Sequence, residues 1–227
     1  MTGDQELAEQ LADVARDLLT AGEVDATLQR MVELAVQTVD GADHAGVSLV
    51  VAQHVETPAQ NDGVPQAIDE LQNEVDEGPC LDAIREHAVF ETGDFATESR
   101  WPRFSPGVVE RTGVRSALSM RLYSEEDTLG ALNLYARAQD AFTEEDRSIA
   151  AIFAAHAAVA LRAAQHQQQL VEAIETRDII GQAKGIIMAH RGVDDAIAFE
   201  ILRDGSNRMH RKLRDVARQV VEHQREQ

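Results

Sequence analysis

Residues 177–188 read Arg177-Asp178-Ile179-Ile180-Gly181-Gln182-Ala183-Lys184-Gly185-Ile186-Ile187-Met188, and residues 211–217 read Arg211-Lys212-Leu213-Arg214-Asp215-Val216-Ala217. On a helix, Arg177, Lys184 and Arg191 fall at i, i+7 and i+14 and form one basic stripe, with Met188 alongside. Ile179, Ile180, Ala183, Ile186 and Ile187 lie on the neighbouring face and read as core. Gly181 and Gly185 each cost a helix about 1 kcal/mol relative to alanine. Such a cost points to close approach by another backbone or a ligand, or to tight helix packing. Gly192 ends this helix, and Asp194 caps a second that buries Ile197, Ala198, Ile201 and Leu202. A third helix from about His210 turns Leu213, Val216, Ala217 and Val220 inward and carries Arg211, Arg214 and Arg218 on its other face. The pattern is a three-helix bundle whose basic faces either bind a polyanion or are simply solvated.

Charge sets this module apart from the rest. The chain has 227 residues and a formal net charge of −19. Residues 1–170 hold 30 acidic and 11 basic side chains and no lysine, whereas residues 171–227 hold 10 of each. Between Arg203 and Arg218, six basic residues stand against Asp204 and Asp215. A binding field is local, so this split outweighs the acidic average and suggests a separate polyanion-binding module.

Hydrophobic residues make up 44% of the chain, enough for a packed core. Cys80 is the one cysteine, which excludes an intramolecular disulfide and a cysteine-only zinc site. The acidic start lacks the basic and apolar regions of a signal peptide, and no apolar run approaches the roughly 18–20 residues of a membrane span. A cytoplasmic protein without membrane contact is expected.

In the body, Leu7, Leu11, Val14 and Leu18 recur at helical spacing, as do Leu28, Met31, Val32, Ala35, Val36 and Val39 before Gly41. Val47–Val51 reads as a buried strand, Glu56–Pro65 as a polar loop, and Pro65–Val75 as a helix. Pro79 suits the first turn of a further short helix. Val89–Glu91 and Ala117–Tyr123 read as strands, and Leu129–Tyr135 as the last strand of an antiparallel meander. Thr143 caps a long helix, with Asp146 three residues on in place of the usual Glu or Gln. Nine alanines stand in residues 150–164, and about 38 residues pass without Gly or Pro before Gly181. That length suggests a dimerising coiled coil; two helices with a break near Gln165–Gln169 are the alternative.

The residues Glu77-Gly78-Pro79-Cys80-Leu81-Asp82-Ala83, Asp94, Trp101-Pro102-Arg103-Phe104, and Leu129–Tyr135 followed by Ala141-Phe142-Thr143 resemble a GAF sensor domain over roughly residues 22–165. The resemblance implies an α+β domain, an antiparallel sheet flanked by helices, with a small-molecule ligand as an input the fold does not name. Cys80 at a helix N-terminus is either a redox-sensitive thiol or a buried inert one, and Asp76 and Glu77 oppose thiolate formation. The eight histidines form no metal-ligand spacing, and no catalytic triad or phosphate loop is present. A GAF-type sulfoxide reductase needs more than one cysteine for disulfide turnover. The lysine-free body excludes a phosphorylation receiver. No enzymatic activity is expected, and Cys80→Ser is the check on that expectation.

Arg177 to Met188, then Ala198-Phe199, Leu202-Arg203, Ser206 and Lys212-Leu213-Arg214-Asp215-Val216-Ala217, resemble an ANTAR domain over about residues 165–225. The resemblance implies an RNA-binding antiterminator in which a dimer holds paired stem-loops of a nascent transcript. It further implies that Gln182, Ala183 and Lys184, with the residues around Ser206 to Lys212, face the RNA loops. The candidate contacts are thus Arg177, Gln182, Ala183, Lys184, Met188, Arg191, Ser206, Arg208, His210, Arg211 and Lys212. Two departures stand out. Gly205 weakens the end of the second helix, and His210 replaces the Asn that often caps the third. Phe199, the module's one aromatic, is expected to be buried, which leaves no stacking platform and assigns recognition to polar contacts with structured RNA.

The expected architecture is an N-terminal helix (1–21), the GAF domain (22–165) and an all-α three-helix ANTAR bundle (166–227) joined to it by the long helix. The expected function is cytoplasmic, homodimeric transcription antitermination on RNA stem-loops, with the transcription machinery as a further partner. A helix-turn-helix DNA-binding regulator is the rival. The acidic body would either mask the basic faces or repel RNA until a signal moves it.

Overall fold

The computed structural model describes residues 12–13, 15–20, 23–51, 54–86, 89–124 and 127–225. The chain divides into two compact units, residues 1–166 and 167–227.

In the first unit, helix α1 (Val24–Thr38) precedes strands β1 (His44–Val51) and β2 (His54–Gln60). Helices α2 (Val64–Val75) and α3 (Pro79–Glu86), strand β3 (Phe90–Thr92) and helix α4 (Phe104–Thr112) follow. Strands β4 (Ser116–Ser124) and β5 (Asp127–Ala136) lead into helix α5 (Glu144–Arg191). The sheet order is β2-β1-β5-β4-β3, with every pairing antiparallel. β3, β4 and β5 form the expected antiparallel meander with β5 as its last strand, and β5 also bonds to β1, so it lies in the centre of the sheet.

The segment expected as a polar loop contributes β2. Pro58 is tolerated there because it sits in an edge strand, beside the register shift between Val47 and Leu49, where a missing N–H costs little. Helix α4 lay outside the sequence expectations for the same kind of reason. Pro106 occupies its first turn, where no N–H is needed, and Gly113 closes it at φ 72°.

Strand alternation sorts the sheet into two faces. Leu118, Met120, Leu122, Leu132, Leu134 and Ala136 pack with α1 and with Ala150, Phe153, Ala157 and Leu161 of α5. Leu18, the described member of the N-terminal apolar stripe, joins this core at 1% exposure; Leu7, Leu11 and Val14 lie outside the described residues. By length and composition α5 is apolar enough to cross a membrane, contrary to the expectation that no segment would be. The apolar stretch serves packing instead: its alanines form part of the core against the sheet, and half of that window is buried.

The opposite face holds Phe95, Trp101, Phe104, Val108 and Tyr135 with Ile68 and Leu71 of α2. An ion pair and a hydrogen bond from the indole fasten the motifs around it. Glu77 accepts from the Arg103 backbone and guanidinium, at 2.9 and 2.6 Å, and Trp101 Nε1 donates to Asp82 at 2.7 Å. Thr143 and Asp146 form the expected capping pair: Thr143 N and Oγ1 donate to Asp146 Oδ2 at 2.9 and 2.7 Å, and Asp146 N donates back to Thr143 Oγ1.

In the second unit, the last turns of α5 pack with α6 (Asp195–Met209) and α7 (Leu213–Arg225). Ala183, Ile187, Ala198, Leu202, Val216, Ala217 and Val221 form its core. α5 is a single 48-residue helix that passes through Gly181 and Gly185 with no break near the glutamines. Gly192 ends it at φ 63°, and Asp194 caps α6 by accepting from Ile197 N at 2.9 Å. Gly205 does not shorten α6, which continues to Met209 with Val216 of α7 packed close beside the glycine. Ile197 is 48% exposed rather than buried.

Candidate nucleic-acid interface

The C-terminal unit presents its polar residues in two places. The first is a hollow of about 920 Å³ along α5, where Arg177, Gln182 and Lys184 meet Phe199 of α6 and Arg214 of α7. Arg177 and Gln182 are exposed. Lys184 is half-buried, and its Nζ lies 2.5 Å from Asp195 Oδ1 at the start of α6. Phe199, expected inside, is 37% exposed, because Ala198 and Leu202 are the residues that α6 turns to the core.

The second is the turn between α6 and α7. His210 is in the left-handed conformation at φ 49° and closes α6, so it is not the start or cap of α7, which begins at Leu213. Ser206 Oγ donates to the Arg211 carbonyl at 2.6 Å, and Arg211 N donates to the Ser206 carbonyl at 3.1 Å. This double tie fixes the backbone and leaves Arg208, His210, Arg211 and Lys212 exposed.

The other expected contacts fall elsewhere. Ala183 is fully buried in the core of the unit and offers no surface to RNA, a correction that follows from its place on the inward face of α5. Met188 is half-buried and packs against the same core. Arg191 is exposed near the end of α5, outside the hollow. Among the described residues the ion pairs of this unit are Lys184–Asp195, Arg203–Glu200 and Arg214–Asp215. Arg177, Arg191, Arg211 and Lys212 stand outside them. Sequence reasoning missed Phe199 and Asp195 as surface elements, and it gave Arg214 no place in the site.

The first unit has a polar seam under α2. Asp69 is 2% exposed and accepts from Ser48, from Thr57 Oγ1 at 2.7 Å and from Gln72 Nε2 at 2.7 Å. Burial pushes its carboxyl above the usual range despite these three donors. Asn133 Nδ2 donates to Ser48 Oγ at 2.7 Å, while Asn133 Oδ1, Ser119 Oγ and Tyr135 Oη are buried without a partner among the described residues. Cys80 is fully buried beside the seam. Burial and then the Asp69 charge push its thiol up, the opposite of what a nucleophilic or redox-sensing cysteine needs. Among the described residues no group of three or more His, Cys, Asp or Glu could hold a metal ion.

Two family models match the chain, a GAF domain over residues 21–162 and an ANTAR domain over residues 168–221. No curated protein shows a significant sequence match. Among solved structures, the chain is similar to the GAF domain of an Acinetobacter phosphoenolpyruvate-protein phosphotransferase, at 14% identity and TM-score 0.57, with 70% of this chain and 94% of that one covered. The corresponding domain from Coxiella burnetii matches at 14% identity and TM-score 0.56, covering 72% and 96%. A free methionine-R-sulfoxide reductase from Neisseria meningitidis matches at 15% identity and TM-score 0.56, covering 70% and 90%. At these identities the likeness concerns the fold alone.

Proposed function

The chain belongs to the GAF domain family and carries a C-terminal ANTAR domain, and from that premise we propose that it is an RNA-binding transcription antitermination regulator with the GAF domain as its signal input. The observation that carries the reading is the pinned turn at Ser206–Lys212, which presents Arg208, His210, Arg211 and Lys212 to solvent within the matched ANTAR segment. Guanidinium and ammonium groups on a fixed backbone suit the phosphates and base edges of a folded RNA loop. The unit's balance of ten acidic and ten basic residues, against the acidic remainder of the chain, supports the same division of labour.

In this reading the regulator is a homodimer in the cytoplasm, acting beside the transcription machinery. Ile152, Val159, Leu170 and Ile174 are each at least 42% exposed on α5. Spacings of 7, 11 and 4 keep them near one side of the helix, as a paired helix requires. The deciding experiment is competition between tandem RNA stem-loops and a duplex DNA for the full-length protein. Displacement by the RNA at lower concentration is expected; preference for the duplex would overturn the reading in favour of a DNA-binding regulator.

A further inference from the structure

We propose that the hollow containing Phe199 is a base pocket, in which one unpaired base of an RNA loop stacks on the Phe199 ring while Arg177 and Arg214 hold its phosphates. The inference rests on the RNA-binding reading above and adds to it a residue that senses the base rather than the backbone.

Three observations converge on the hollow. Phe199 is the only aromatic of residues 166–227, and it is 37% exposed instead of packed in the bundle core. Three cations, Arg177, Lys184 and Arg214, come to its edge from two different helices. Gly181 lines the same hollow, and a Cβ built there meets no atom within 4 Å. The glycine thus does no packing work inside this unit that would offset its cost to the helix, and its missing side chain leaves a flat, bare stretch of α5. A flat bare surface, an aromatic face and a cationic rim are what a base with its phosphates requires. Gln182, also on the rim, supplies an amide for a base edge.

A second copy of the chain is the competing occupant, because Gly181 continues the exposed stripe of α5. The charges speak against it. Beyond Ile174 the stripe loses its apolar side chains, and a parallel copy would bring its own Arg177 and Lys184 towards a rim that already holds three cations. Glu172 and Asp178 also line the hollow, Asp195 holds Lys184 at 2.5 Å and Asp215 stands 3.8 Å from Arg214, so Arg177 is the rim cation outside the unit's ion pairs and Arg214 the more loosely paired of the other two.

The test uses the full-length protein and tandem RNA stem-loops enriched by it from a pool with randomised loops. Phe199→Leu keeps an apolar side chain and removes the ring; Phe199→Tyr keeps the ring. Leu is expected to weaken binding by about 5- to 150-fold, the range for one stacked base, and Tyr to restore it. An abasic nucleotide at one loop position should cost the unaltered protein a similar factor and cost the Leu variant nothing more. Wild-type affinity in the Leu variant, or equal abasic losses in both proteins, would overturn the proposal. So would loss of the dimer mass by native mass spectrometry in the Leu variant without RNA, which would give the hollow to a second copy. Failure of the unaltered protein to enrich any RNA would instead overturn the RNA-binding reading itself.

Discussion

Lys184 Nζ lies 2.5 Å from Asp195 Oδ1, so the lysine at the centre of the basic stripe is held by the first turn of the next helix. Its charge is shared before any RNA arrives. Asp195→Asn is expected to tighten stem-loop binding by up to about five-fold, since a surface pair is worth about 0.2–1 kcal/mol. Lys184→Ala and Lys212→Ala should each weaken binding and flatten its salt dependence, with Lys212, outside the unit's ion pairs, giving the larger loss. Filter binding at two salt concentrations measures all three. Unchanged affinity in both lysine variants would remove these residues from the interface.

The capping pair at the start of α5 is expected to matter to the whole first unit. Asp146 accepts from Thr143 N and Oγ1, and from Gly41 N at 3.3 Å, and so joins the helix to the end of α1. Asp146→Ala should lower the unfolding free energy by about 1–2 kcal/mol, and Thr143→Ala by about 1 kcal/mol. Urea denaturation followed by Trp101 fluorescence reads this directly, because that ring is buried in the same unit.

Acid should unfold the GAF unit partly through Asp94. Arg115 Nε and Nη2 donate to its two oxygens at 2.7 and 2.6 Å, and the pair, helped by Ala96 N, holds the carboxyl down at about 2. A depressed carboxyl contributes stability above its ordinary value near 3.8, and that contribution is lost as pH falls towards 2. Arg115→Gln should therefore cost more stability at pH 5 than at pH 2. Thermal midpoints across that range test it, and a pH-independent difference would count against the pair.

Asp69 carries the opposite sign. Its folded value is raised, so its contribution is complete below about pH 4 and is lost as pH rises through the folded value. Asp69→Asn gives up hydrogen bonds at every pH but no longer has a charge to bury. The variant is expected to be less stable than the parent at pH 4 and to recover ground as pH rises. A difference that stays constant from pH 4 to 8 would mean that Asp69 does not titrate in this interval.

Much of this molecule was legible because its signals are local. The Thr143–Asp146 box, the Asp194 cap, Gly192 and the spacing of Leu28, Met31, Val32 and Ala35 all act within a few residues, and each stands where its chemistry requires. What failed depended on partners distant in sequence. Pro58 argues against a strand until it is known that β2 lies at the edge. Helical spacing puts Ala183 on the core face, where it is buried; only the motif, taken as one set, turns it to the RNA, although neighbours on a helix point about 100° apart. A wheel of α6 centred on Ala198 and Leu202 puts Phe199 on the flank, so helical spacing carries the signal that its aromatic character obscures. The Asp69 seam left no trace in periodicity, because Ser48, Thr57, Gln72 and Asn133 come from four separate elements.

The double tie between Ser206 and Arg211 has an entropic meaning. A loop that must order itself around a ligand loses backbone freedom at about 1–2 kcal/mol per residue on binding, whereas this turn is ordered when the unit folds. In the proposed complex Arg208, His210, Arg211 and Lys212 would lose only side-chain rotamers on meeting a phosphate or a base. Removing the Ser206 hydroxyl would leave every charge in place and is still expected to weaken the complex.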